Sequence, residues 1–198
     1  MADLVAVFFA AALVNNVVLI RFLGICPYLG VSQALSSAVG MGGAVIFVMT
    51  LSSMATWLIH NFLLIPYGIE YLQTVAFILV IATLVQFVEM VMLKFSPPLY
   101  RALGVFLPLI TTNCAIMGVA LLNITDGYNF IETLLNALGA GVGFILVIIL
   151  FAAMRERLDR ADVPGPMKGT PIALVTAALM SMGFMAFNGF NITALFGG

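Results

Sequence analysis

Charge is what this sequence is short of. Seven Lys and Arg and eight Asp and Glu make up 8% of its 198 residues, against 64% hydrophobic residues. No soluble domain has that balance, so a water-facing globule is excluded and a chain embedded in lipid is expected. The net charge of −1 says little about partners, and no nucleic-acid partner is expected. There is one histidine, His60, and there are two cysteines, Cys26 and Cys114, without Cys-x-x-Cys spacing. That inventory is too small for a four-ligand zinc site or an iron–sulfur cluster held by this chain alone. No Ser-His-acid set is apparent. The glycines of Gly139-Ala-Gly141-Val-Gly143 lie inside an apolar helix, where they read as packing rather than nucleotide binding.

What is present in excess is apolar sequence. Runs of about 20 such residues cross the hydrocarbon as helices, and six spans are read at roughly 4–31, 37–64, 71–93, 99–123, 127–154 and 170–196. Short connections join them, so the chain is expected to be a single all-α membrane domain over residues 1–198. The first stretch is followed by five more and has no small-residue cleavage signal, so it reads as a span rather than a removed signal peptide. The few basic residues set the orientation. Lys94 and Arg101 flank loop 3–4, and Arg155, Arg157, Arg160 and Lys168 lie in loop 5–6. Asp3, His60, Glu70 and Asp126 fall on the opposite side, without Lys or Arg. The positive-inside rule places the basic loops in the cytoplasm and both termini outside.

The sequence repeats internally. Cys26-Pro-Tyr-Leu-Gly30-Val31 and Cys114-Ala-Ile-Met-Gly118-Val119 share Cys-x-x-x-Gly-Val. Ala38-Val-Gly40-Met-Gly42-Gly-Ala-Val-Ile46-Phe-Val48 aligns with Ala137-Leu-Gly139-Ala-Gly141-Val-Gly-Phe-Ile145-Leu-Val147. Spans 1–3 and 4–6 thus form related halves, about residues 1–95 and 96–198. Because each half has an odd number of spans, the second enters from the opposite side. The result is an inverted 3+3 repeat with a pseudo-two-fold axis in the membrane plane. Equivalent residues near that axis approach each other, and Cys26 and Cys114 are the candidates.

Both cysteines stand where helices are expected to break. Span 1 is too long for one crossing, since 28 residues at 1.5 Å give about 42 Å against a core of about 30 Å. It contains Gly24, Pro27 and Gly30, and span 4 contains Pro108 and then Thr111-Thr112-Asn113. Pro27 suits a first helical turn, which makes Cys26 an expected N-cap. Asn113 is itself expected to cap, with Cys114 in the first turn. Free backbone N–H groups and the positive dipole end at such termini suit negatively charged sulfur. Two readings stay open from residue types alone: small buried cysteines beside packing glycines, or ligands of a cofactor whose other half comes from a second protein.

Polar residues inside the spans divide in the same way. Glu89 reads either as part of an ion or proton path or as an interfacial carboxylate paired with a basic neighbour. Arg21 either balances negative charge near Cys26 or reaches the interface. Asn15 and Asn16 are expected to bond between helices. The run Arg155-Glu-Arg-Leu-Asp-Arg160 reads first as a solvated topology signal and second as a docking site for a cytoplasmic partner.

Several runs carry a family resemblance over essentially the full length. They are Arg21-Phe-Leu-Gly-Ile-Cys26-Pro, Gln86-Phe-Val-Glu89-Met, Pro97-Pro-Leu-Tyr100 and Gly104-Val-Phe-Leu-Pro-Leu-Ile-Thr-Thr-Asn-Cys114-Ala. Arg155-Glu-Arg-Leu followed by Ala161-Asp-Val-Pro164, and Leu179-Met-Ser-Met-Gly-Phe-Met, complete the set. They resemble the Rnf/Nqr family, in particular the A subunit of the Rnf electron-transport complex and the similar E subunit of the sodium-translocating NADH:quinone oxidoreductase. Pro27 favours the Rnf branch.

The resemblance implies six helices in an inverted repeat, in the cytoplasmic (inner) membrane of a bacterium or archaeon. It implies a paralogous partner of opposite topology, the E subunit of the complex, and further subunits carrying flavins and iron–sulfur clusters. It implies a [2Fe–2S] cluster in the membrane, with Cys26 and Cys114 as this chain's half of the ligands. By their positions beside the two cysteines, Arg21 and Asn113 are expected in its surroundings. It also implies electron transfer between ferredoxin and NAD coupled to Na+ or H+ transport, with Glu89 matching a membrane glutamate on the ion path. Read without the resemblance, inverted repeats and broken helices equally describe a small secondary transporter, and a structural membrane subunit without a cofactor is a third reading.

Overall fold

The computed structural model describes residues 2–32, 35–95 and 107–189, and their regular structure is helical throughout. The Pro97-Pro-Leu-Tyr100 run, Arg101, the start of span 4 and the end of span 6 with the C-terminus lie outside the described residues. Helix α1 (Ala2–Phe9) widens into a π-helical turn over Ala10–Val14. Helix α2 (Ile25–Val31) follows an irregular stretch, 15–24. Helix α3 (Leu35–Ile59) runs on through a π turn (His60–Leu64), and α4 covers Gln73–Phe95. Helix α5 (Leu107–Thr111) and α6 (Cys114–Thr125) are separated by Thr112 and Asn113. Helix α7 (Phe130–Asp159) and α8 (Thr170–Met185) complete the set.

Among the described residues, three helical segments, Ser37–Tyr67, Glu70–Val91 and Phe130–Asp159, are long and apolar enough to cross a membrane. Leu4–Val14, Leu109–Thr125 and Thr170–Met185 are shorter apolar helices. The first and fourth expected spans are therefore interrupted. Local chemistry explains where. Asn113 starts α6, its side-chain oxygen accepting from the Ala115 N–H at 3.0 Å. Gly24, at φ +82°, starts α2 from a left-handed conformation that residues with a Cβ rarely adopt. Cys26 is thus in the first turn of α2 and is not its cap. Pro27 lies one residue further in, still within the turn whose N–H groups have no intrahelical acceptor.

Helices α3 and α7 form the centre. They are antiparallel, with Ile46 seated on Gly141 and Ile145 seated on Gly42; a Cβ built on Gly141 would stand 2.9 Å from Ile46 Cγ1. Each contact is the other's image under the sequence alignment of the two halves. The same register continues to Trp57, whose ring meets Phe130 at 5.3 Å between centroids. On the other face of α7, Gly139 and Gly143 admit the backbone of α1 and its π turn, and a Cβ on Gly143 would stand 2.6 Å from the Ala12 carbonyl oxygen. In lipid, where burial from water does not drive helix pairing, this close approach is the main source of attraction. Met41, Val45, Met49, Phe144, Ile148 and Phe151 fill the space on either side and are fully buried.

Gly143→Ala is expected to destabilise the detergent-solubilised protein by about 1–3 kcal/mol, because its new methyl meets backbone that cannot swing away. Gly43→Ala, whose methyl would meet nothing within 4 Å, should leave the melting temperature unchanged or slightly raised. Thermal unfolding of the two variants checks the contrast.

Candidate functional site

A helix interrupted inside a membrane exposes N–H and C=O groups that have no water to bond. Residues 15–24 contain such groups, and side chains from distant parts of the chain meet them. Asn16, wholly buried, uses both ends of its amide. Its Nδ2 donates to the carbonyls of Ala12 and Gly143, each at 3.1 Å. Its Oδ1 accepts from the N–H groups of Val18 and Leu19, at 3.1 and 3.3 Å. The Ser181 hydroxyl of α8 donates to the Leu19 carbonyl at 2.6 Å. Ile20 and Leu23 donate back to Asn16 and Val17.

The last of these partners is a cysteine. The Gly24 N–H donates to Cys114 Sγ at 2.9 Å. Leu23 lies against Gly118, one turn further along α6, and a Cβ on Gly24 would stand 3.0 Å from the Ala115 Cβ and 3.1 Å from Phe144. The segment leading into Cys26 is therefore packed onto the turn that carries Cys114. Both cysteines are reduced, both occupy the first turn of a helix, and both are exposed. Asn113 is 3% exposed, and its Nδ2 is buried without a partner among the described residues. Phe22, close by, is held at φ +55° with its ring exposed, a strained conformation for a bulky residue.

The opposite end of α2 is held as firmly. Arg155 of α7 donates from Nη1 to the Leu29 carbonyl at 2.9 Å and to the Ser32 hydroxyl at 3.0 Å. Tyr28 stacks on Phe151 with ring centroids 4.1 Å apart. Arg155 is thus not the solvated topology charge that its run suggests: it satisfies the Leu29 carbonyl in the last turn of a short helix and complements the negative end of the dipole. Glu156, Arg157, Asp159 and Arg160 are exposed as expected of that run, and Arg160 pairs with Glu156. The other half has a counterpart: Trp57 Nε1, near the end of α3, donates to the Tyr128 carbonyl just beyond α6 at 3.0 Å.

Arg21 lines a cavity of about 40 Å3 with Asn15, Asp126, Tyr128 and Asn136, which groups it with the loop that follows α6. Glu89 is half-buried on α4, on the stripe continued from Phe77, Ile81 and Val85; α4 packs against α3, α5 and α6. Among the described residues no group of three or more His, Cys, Asp and Glu converges, so the two sulfurs are what the site offers a metal. Ser181 and Arg155 are residues whose roles sequence reasoning misses. The interhelical bond expected of Asn16 is present, from its Nδ2 to the Gly143 carbonyl of α7; its bonds to the N–H groups of Val18 and Leu19 at the break are the part not foreseen.

Gly24→Ala is expected to perturb the cysteine segment strongly, since the residue combines a left-handed backbone with three close neighbours. The variant should lower the melting temperature of the purified protein and speed alkylation of Cys114 relative to the parent. Unchanged values for both would mean that Gly24 does not hold the two segments together.

The chain has close relatives among known proteins. The family described as "Rnf-Nqr subunit, membrane protein" matches residues 4–191. The A subunit of the ion-translocating oxidoreductase complex of Aliivibrio salmonicida (strain LFI1238) is 59% identical over 189 residues, covering 96% of this chain and 98% of that protein. The protein of the same name from Shigella sonnei (strain Ss046) is 60% identical with the same coverage. That from Escherichia coli O1:K1 / APEC is 59% identical, also over 189 residues.

Proposed function

The chain belongs to the Rnf-Nqr family of membrane subunits, and we propose that it is the electron-relay subunit of an ion-translocating ferredoxin:NAD oxidoreductase in a bacterial or archaeal cytoplasmic membrane. Its relatives are named as subunits of an ion-translocating oxidoreductase complex, and this chain is read as a non-autonomous part of such a complex. It would share a [2Fe–2S] cluster with a paralogous subunit of opposite topology, while other subunits carry flavins and further iron–sulfur clusters.

The observation that carries this reading is the N–H···S bond from Gly24 to Cys114. It draws the lead-in to one cysteine onto the other cysteine at a break in two spans. The residues present fit half of a cluster. Cys26 and Cys114 would supply two of the four sulfur ligands that such clusters require. Their exposure leaves them open to a partner that supplies the remainder. The Gly24 N–H donates to the Cys114 sulfur, and the positive dipole ends of α2 and α6 favour negative charge at both cysteines. The buried, unpartnered Nδ2 of Asn113 adds a donor in the same neighbourhood. Asn16 and Arg155 hold the irregular segment and α2 from both sides, so the sulfurs stand on fixed backbone. When bound, the cluster would supply a one-electron carrier within the membrane. The surrounding protein excludes water and holds the ligands in place.

The wider architecture proposed is six spans in an inverted repeat, with both termini outside and the basic loops in the cytoplasm. The reciprocal seating of Ile46 on Gly141 and Ile145 on Gly42 supports it, because a two-fold axis between antiparallel helices generates such crosswise pairs. The two long-range caps, Arg155 on α2 and Trp57 beyond α6, support it in the same way. Glu89 is assigned to the ion path, and Na+ or H+ is the coupled ion.

Cys26→Ser or Cys114→Ser in the assembled complex is expected to remove the iron of this site and its paramagnetic signal, and to abolish coupled ion transport. Assembly should persist. Unchanged iron content and spectrum in both variants would sink the relay reading.

A further inference from the structure

On the Asp126 side of the glycine crossing, the contact between α3 and α7 turns polar. Carrying the register onward from Ile46 over Gly141 toward Trp57 over Phe130 brings Ser52 and Ser53 of α3 level with Leu134 and Leu135 of α7. They thus lie beside Thr133 and Asn136. Asn136 donates from Nδ2 to the Oδ1 of Asn123 on α6 at 2.6 Å, so three helices meet in one polar layer. Ser52, Ser53, Asn123 and Thr133 are each 0–1% exposed. The hydroxyls of Ser52, Ser53 and Thr133 and the Nδ2 of Asn123 have no partner among the described residues. Four such atoms at one level inside an apolar bundle are costly unless water reaches them.

Space for water adjoins the layer. Asn123 lines a cavity of about 280 Å3 with Trp57, His60, Asn61, Tyr128 and Asn129. Asn136 lines the cavity of about 40 Å3 that also holds Arg21 and Asp126. One water needs only about 10–15 Å3. The hydroxyl oxygens of Ser52, Ser53 and Thr133 can turn toward a hydrated cation or a water, and the Asn123 Nδ2 can donate to water. Buried polar groups in membrane helices characteristically face water-filled paths. Near the mouth the carboxylates of Asp126 and Glu132 attract cations, and Arg21, which lines the smaller cavity with Asp126, offsets one of them, so the net local charge is negative. Beyond the layer, Ile46 on Gly141 and Ile145 on Gly42 close the contact.

We propose that Ser52, Ser53, Asn123, Thr133 and Asn136 form the inner end of a water-filled inlet, open on the Asp126 face, that admits the transported monovalent cation part-way into the membrane. The water in the inlet rests on geometry alone; its use by a cation rests on the ion-transport reading above. The inlet stops at the glycine crossing, so passage onward requires that crossing or its partner surface to move.

The test uses Ser53→Cys and Thr133→Cys in the assembled complex in sealed vesicles, probed with a positively charged, membrane-impermeant methanethiosulfonate. Asn61→Cys marks the mouth, and the complex without an introduced cysteine sets the background. Both inner cysteines should react from the Asp126 face at least tenfold above background and not from the other face. The modified complexes should lose at least fivefold in cation flux. Absence of reaction at both inner positions, with Asn61→Cys reacting, overturns the inlet. Reaction with undiminished cation flux overturns its assignment to the cation. Should the cysteine variants not assemble, Thr133→Ser is expected to retain cation flux and Thr133→Val to lose it, and equal flux in the two counts against the proposal. If the unmodified complex passes electrons but moves no cation, the ion-transport reading above falls, while the labelling result still decides whether the inlet holds water.

Discussion

Backbone groups inside a membrane must find partners within the protein, and the ten irregular residues before α2 impose that demand at the heart of this chain. Asn16 meets two of them, the N–H groups of Val18 and Leu19, and its other end ties the break to the carbonyls of Ala12 and Gly143. Ser181 meets the Leu19 carbonyl, and Cys114 meets the N–H of Gly24. The need is structural, but the solution has chemical consequences. A cysteine that accepts from the backbone of the opposite half is fixed in position, and the segment that bonds to it delivers the second cysteine. The same contacts that make the break tolerable therefore bring the two sulfur-bearing turns together.

The long helices make that arrangement possible. α3 and α7 approach closely because Gly42 and Gly141 carry no side chain at the crossing, and each leaves room for an isoleucine from the other helix. Each of these helices also reaches across to the broken span of the other half. Arg155 closes α2, and Trp57 bonds beyond α6. Neither half is complete alone: the interrupted helices of one are finished by the long helix of the other. Movement at the glycine crossing would be felt at both breaks, which gives the fold a physical route by which events at the cysteines and the position of the helices can be coupled.

Much of this is legible in the sequence where the cause is local. Asn113 is readable as a cap because its effect falls two residues away, and the glycines of α7 are readable as packing because Gly139 and Gly143, four residues apart, share one helix face and Gly141 lies on the other. The alignment of Gly42 with Gly141 and of Ile46 with Ile145 identifies equivalent positions; that they meet crosswise is a fact of three-dimensional packing. The start of α2 is easily misread, since Pro27 draws attention to Cys26 while the left-handed Gly24 does the capping. Arg155 is misread because its partner at Leu29 is 126 residues distant, and a charge near a helix end looks solvated until that partner is seen. The polar layer of Ser52, Ser53, Asn123 and Thr133 is invisible because its members are scattered over three helices.

The proposed cluster needs four ligands, and this chain offers two cysteine sulfurs, both exposed. On that proposal a second protein must press against the exposed half-site. The most direct measurement is anomalous scattering at the iron edge from crystals of the intact complex. The account predicts iron bonded to both Cys26 and Cys114 at the boundary with the neighbouring membrane protein. Sulfurs without iron, covered only by lipid or packed side chains, would contradict it.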